Sequence, residues 1–210
     1  MFNLIMKDIR IQRKDKTIFV FLILNILNIF IFQNNYATTI LLCFLSIYLL
    51  EVYANAYDFK YNSELMINSL PVNRKIVVAA KYLSVFVFFI CAILITLIMG
   101  SLLHFVAPTL VNKTLGINTI FIEFFIVCIY FSVFFPLYYK LRYLKSRWVN
   151  FIIMAAMGSL SSFANEILTN NTIFGVDFGL MQRIVLIAIP ILFIVVSFFA
   201  SIKIYLNKEF

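Results

Sequence analysis

NAYDFKYNSELMINSLPVNRKIVVAAKYLS, residues 55–84, is the longest polar interruption in an otherwise apolar chain. It carries Asp58, Lys60, Glu64, Arg74, Lys75 and Lys81, with Leu65, Met66, Leu70, Val72, Ile76 and Val77 at helical spacing between them. Pro71 divides this pattern. Proline opens a helix readily, because the first N–H groups have no partner anyway, but inside a helix it removes a hydrogen bond and clashes with the preceding turn. The spacing therefore predicts a short helix, a proline corner and a second helix, standing as a handle between two apolar runs.

Working outward, 64% of the 210 residues are hydrophobic, 12% are charged, and the mean hydropathy is +1.03. That is too little polar surface to cover a soluble globule. In a bilayer every backbone polar group must be bonded within its own segment or in a closed barrel. The apolar runs are continuous rather than alternating, so the spans are helical and the fold class is an all-α membrane protein. With only five Gly and four Pro, the helices are largely unbroken and form one bundle, residues 1–210. No cleavable signal is evident, since the first apolar run follows sixteen mixed residues with no small-residue cleavage site after it.

The expected spans are about 17–32, 36–53, 82–105, 119–138, 148–164 and 184–206, with the polar segment 55–81 between the second and third. The fourth ends at Pro136, the fifth is short and rich in small residues, and the sixth is bent or broken near Pro190. Residues 2–16 place Phe2, Ile5, Met6 and Ile9 on one helical face and Lys7, Arg10, Arg13 and Lys14 mostly on the other. This suits a helix in the interface, apolar face toward lipid and cations among headgroups. Of the seventeen Lys and Arg residues, only Lys113 and Arg183 fall on the side opposite the N-terminus and the handle. That bias places both termini and the handle in the cytoplasm. The net charge of +8 is thus a topology signal rather than a nucleic-acid footprint.

Among candidate polar positions, Asn25 and Asn28 share one face of the first span. Buried amides need partners, so they are expected to hydrogen-bond another helix, with a substrate path as the other reading. Glu51 and Glu123 are carboxylates in or near spans. Glu51 lies where it reaches water or pairs with Lys60 or Lys81, and Glu123 lies one turn in from the outer surface, facing an aqueous pocket or a polar partner. In the fifth span, Ala155/Ser159 and Gly158/Ser162 have small-xxx-small spacing that permits close helix approach. The apolar loop after it, including Ile167, Phe174 and Phe178, suits partial re-entry into the bundle.

Catalytic motifs are absent from the sequence. His104 is the only histidine, which rules out HExxH and paired-His metal chemistry, and neither GxSxG nor a Walker A motif occurs. Cys43, Cys91 and Cys128 are widely spaced within apolar runs and read as packing residues, so no metal or disulfide is expected. Any ATP must be bound by another chain.

The words SELMINSLPVNRKIVVAAKYLS, residues 63–84, resemble the E-L-x-x-SLPVSR-x-x-IV-x-x-KYL stretch of small ABC-2 type transporter permeases. Within that family the chain is most similar to permeases that export phenol-soluble modulins, which are amphipathic cytolytic peptides, and to peptide-resistance systems. Asn73 stands where the family usually has Ser.

The resemblance implies a six-span permease of ABC-2, type V exporter-like architecture in a bacterial cytoplasmic membrane. Residues 2–16 would be its elbow helix. The coupling element to a separately encoded nucleotide-binding ATPase would comprise Glu64, Leu65, Met66, Asn68, Ser69, Leu70, Pro71, Val72, Asn73, Arg74 and Lys75. Lys140, Arg142, Lys145 and Arg147 would form a second, smaller cytoplasmic contact. No cofactor would sit on this chain, ATP and Mg being held by the ATPase. The partners would be ATPase subunits, a second permease subunit in a homo- or heterodimer, lipid, and a peptide or other apolar substrate, with no nucleic acid. Two other classes fit the residues as well: a stand-alone immunity or stress protein, and an ion-coupled secondary transporter using Glu51 or Glu123.

Overall fold

The computed structural model of the chain describes residues 2–14, 17–31, 36–69, 72–106, 117–170 and 180–207. These residues form α1 (Phe2–Lys14), α2 (Thr17–Ile31), α3 (Tyr36–Lys60), α4 (Ser63–Ser69), α5 (Arg74–Val106), α6 (Ile117–Asn170) and α7 (Leu180–Leu206). No strand occurs among them. Four helical stretches are long and apolar enough to cross a membrane: Ile40–Lys60, Arg74–Leu102, Thr119–Leu141 and Ile187–Leu206. Thr17–Leu27 is a shorter apolar helix.

Two expected boundaries shift. The second apolar run does not stop near residue 53, because α3 continues through Asn55 and Asp58 to Lys60. Both polar residues are buried and have partners inside the bundle, so the helix has no reason to end there. It ends at Lys60, and two residues on Asn62 turns the chain with a φ of 49°, left-handed backbone that asparagine adopts more readily than most residues. The carbonyl of Asn62 then accepts from the Met66 N–H at 3.3 Å, so the same residue opens α4. At the other end of the handle, the second short helix and the third span are one element, the 33-residue α5.

Helical backbone runs from Ile117 to Asn170 and passes through Pro136 instead of ending there. It is nevertheless folded back on itself. The Tyr130 hydroxyl donates to the Asn150 side-chain oxygen, whereas twenty residues of straight helix would hold these groups about 30 Å apart. Ile153 and Met154 likewise pack against the same core as Phe131 and Phe134. The side chains of Ala155, Gly158, Ser159 and Ser162 and the loop residues 171–179 lie outside the described residues, as do the connection 32–35 and the side chain of His104.

Pro136 instead makes a joint between helices. Its missing N–H frees the carbonyl four residues earlier, that of Ser132. The Ser197 hydroxyl of α7 donates to this carbonyl at 2.6 Å. Ser197 also bonds the Tyr82 hydroxyl of α5 at 2.6 Å, and Tyr82 contacts the Ser201 hydroxyl at 2.8 Å. A backbone defect in one span thus becomes the polar contact of three, as happens where neighbouring helices satisfy a proline-freed group. Pro190 also lies within a continuous helix, α7, and no break occurs there.

Around this joint the core is aromatic. Phe44 meets Tyr130 edge-on at 5.0 Å, Tyr82 meets Phe135 at 4.5 Å, and Tyr139 meets Tyr205 at 5.1 Å. Such pairs contribute about 0.5–1.5 kcal/mol each beyond area burial. That matters in lipid, where apolar side chains gain little from merely leaving the solvent and packing must hold the helices together. Leu192, Phe193, Val196 and Phe199 of α7 face outward.

Candidate functional site

The handle is built from α4, residues 72–73 and the first two turns of α5. Asn73 caps α5: its side-chain oxygen accepts from the Lys75 backbone N–H at 3.0 Å, and its carbonyl accepts from Ile76 at 2.9 Å. Serine performs the same capping, so Asn73 in place of Ser preserves the local chemistry. Arg74 points back to the bundle, donating through Nη1 to the Leu206 carbonyl at the end of α7 at 3.3 Å. A cation suits a helix C-terminus, where carbonyls lack helical donors.

The outer surface of the handle is apolar with cationic edges. Met66 is 67% exposed, Phe59, Tyr61 and Ile76 are exposed, and so are Ser69 and Lys75. Tyr57 and Tyr61 stack at 5.5 Å with the Lys60 ammonium over both rings. Glu64 and Val72 are half-buried. The side chains of Leu65, Asn68, Leu70 and Pro71 lie outside the described residues. Lys140 and Arg147 are exposed, while the side chains of Arg142 and Lys145 also lie outside the described set.

At the root of the handle four charges are locked together. Lys81 of α5 meets Asp58 of α3 at 2.8 Å and Asp8 of α1 at 3.3 Å. Lys7 of α1 bonds Asp58 and lies 3.3 Å from Asp8. Asp8, Asp58 and Lys81 are all buried. Two cations facing two carboxylates compensate each other's desolvation, whereas removing one partner would leave a buried charge unbalanced. A cavity of about 30 Å³, room for one or two waters, adjoins the cluster. It is lined by Lys7, Asp8, Asp58, Glu64, Lys81 and Tyr139 among others.

This arrangement revises the reading of α1. Asp8 (2% exposed) and Gln12 are turned inward, while Phe2 is 70% exposed and Ile9 also faces out. The Gln12 amide donates to the Leu50 carbonyl of α3 at 2.6 Å, and Thr17 bonds Gln12 at 2.7 Å. Thus α1 is pinned to the bundle by polar contacts, and Lys7 is engaged with buried carboxylates.

The other candidates are not gathered at the cluster. Asn25 does not bond another helix: its amide donates to the Phe21 carbonyl of its own helix at 2.7 Å, and its buried oxygen has no partner among the described residues. The Asn28 side chain lies outside those residues. Glu51 reaches neither water nor Lys60. It is fully buried (0% exposed) and accepts from Asn55 at 3.2 Å, leaving Oε2 unpartnered among the described residues. Glu123 is buried within the bundle beside the Cys43 thiol of α3, and its Oε1 has no partner among the described residues. No grouping of His, Cys, Asp and Glu fit to hold a metal occurs among the described residues.

The chain matches the ABC-2 family transporter protein family across residues 3–206. It belongs to that family. Comparison with curated proteins and with solved structures returns no match. In this ABC-2 family protein the ion cluster is the feature that sequence reasoning missed. A signal was present: Glu51, Asn55 and Asp58 recur at spacings of four and three on the inward face of α3, and Asp8 and Gln12 interrupt the apolar face of α1. Polar residues on faces that must be buried need partners, and α1, α3 and α5 supply them to one another.

Proposed function

We propose that this chain is the membrane permease subunit of an ATP-driven exporter. Six spans, cytoplasmic termini and a dimeric permease paired with two separately encoded ATPase subunits complete the reading. The observation that carries it is the handle: an apolar, cation-edged surface centred on Met66 and Lys75, mounted on α5 and joined at its root to α1 and α3. Exposed apolar groups with a charged rim suit a protein partner's cleft. ATP binding would close the ATPases, the handle would carry that movement into α5, and the bundle would open outward. The chain makes and breaks no covalent bond. Amphipathic peptides or other apolar compounds are the substrate class that its apolar bundle accommodates.

The test is co-purification with a nucleotide-binding ATPase subunit, sought first in the neighbouring genes. Met66→Asp with Lys75→Glu is expected to abolish the complex and the stimulation of ATP hydrolysis while leaving the isolated permease folded. If that double variant binds and stimulates like wild type, the handle is not the contact.

A further inference from the structure

The ion cluster leaves out Glu51, a buried carboxylate on the same helix as Asp58. Glu51 stands on the same face of α3 as Asp58, seven residues earlier and so about 10 Å away along the helix. Asn55 lies between them and donates to Glu51 Oε1 at 3.2 Å, while Oε2 has no partner among the described residues. The charges that act on Glu51 are Lys81, Asp8 and Asp58. An unpaired carboxyl oxygen inside a membrane bundle is expensive, and such groups usually mark function.

Lys81 is suited to serve both acids. Its ammonium is a point charge on a flexible four-carbon stem, without the fixed geometry of a guanidinium. It sits on α5, whose first turn is the second arm of the handle. We propose that Lys81 is the moving contact of a two-position ion-pair switch. In this structure it holds Asp58 and Asp8, and when the handle drives α5 along α3 it transfers to Glu51.

Lys7 makes the exchange feasible. It already contacts both Asp58 and Asp8, so neither acid is left without a cation when Lys81 departs. The small cavity beside Lys81, lined also by Tyr138 and Tyr139, leaves the ammonium room to move. In the first position α1 is clamped to α3 and α5 together. In the second α1 keeps its Lys7 and Gln12 contacts to α3 but loses its ion pair to α5, so α5 is free to shift relative to α1. Bistable elements of this kind turn a small push into a discrete rearrangement.

The switch rests on the reading of the handle as the ATPase contact. The experiment uses the full permease–ATPase complex in lipid nanodiscs, treated with a membrane-permeant carbodiimide that joins touching amines and carboxylates. Peptide mass spectrometry then counts the linkages. Without nucleotide, Lys81 should link to Asp58 and Asp8. With ATP, Mg and vanadate, the Lys81–Glu51 linkage should rise at least fivefold. Glu51→Gln should bind the ATPase normally and melt no lower than wild type, yet hydrolyse ATP at least fivefold more slowly in the complex, and Glu51→Asp should recover part of the rate. An unchanged Lys81–Asp58 linkage under trapping, or wild-type turnover in Glu51→Gln, overturns the switch while the handle assignment stands. If the wild-type chain fails to bind or stimulate the ATPase, the handle assignment fails and the switch falls with it.

Discussion

Replacing Ser197 by Ala deletes two contacts at once, and their unequal worth makes the outcome calculable. The Tyr82 hydroxyl keeps Ser201 as a partner, so that loss is a modest interhelical bond, about 0.6 kcal/mol on average in membrane bundles. The Ser132 carbonyl has no such reserve, because Pro136 offers no N–H to it. Leaving a buried carbonyl without a donor costs about 1–3 kcal/mol. The sum is about 2 kcal/mol, which for a chain of this size corresponds to a fall in melting temperature of roughly 4–8 °C.

A thiol-reactive dye in the Cys91→Ser background measures this well, since Cys43 and Cys128 are buried and react only on unfolding. The same substitution in a Pro136→Ala background should cost about 1 kcal/mol or less, because an alanine at that position supplies the helical donor that proline lacks. Equal losses in the two backgrounds would refute the account of Pro136 as the origin of the joint.

Other expectations follow from the same contacts. Lys81→Met leaves Asp8 and Asp58 sharing Lys7 and should lower stability by about 3 kcal/mol, the lower part of the range for a broken buried pair; Lys81→Met with Asp58→Leu should lose less than Lys81→Met alone in the same thermal assay. Asn73→Ala should cost about 1 kcal/mol through loss of the α5 cap, with Asn73→Ser within a few tenths of wild type, read from hydrogen exchange at residues 75 and 76. Cysteines replacing Tyr130 and Asn150 should be joined by a short bifunctional thiol reagent that spans the space the Tyr130 ring fills, and failure to cross-link would contradict the folded-back path of α6.

The span count and boundaries were only partly legible, and particular residues show why. The apolar runs announced membrane helices, because hydropathy reports the solvent each segment faces. The ends of α3 did not follow from hydropathy, since Asn55 and Asp58 look like the start of a polar loop until Lys7 and Lys81 are placed beside them. Pro136 reads as a helix end in one dimension, and only the Ser197 hydroxyl, 65 residues beyond the Ser132 carbonyl it serves, explains how the helix passes through it. The Asn25 amide was expected to reach across the bundle, but the carbonyl of its own preceding turn was within reach.

Local pattern was enough to establish an all-helical membrane chain and a second helix beginning shortly after the polar segment, at Arg74. Tertiary structure decided what depends on distant partners: which charges are buried together, why α1 turns Asp8 and Gln12 inward, and why one oxygen of Glu51 has no partner among the described residues. The division has one physical cause. Backbone hydrogen bonds and apolar periodicity are satisfied within a few residues, whereas a buried charge is satisfied only by a counter-charge, and Lys81 finds its own on two other helices.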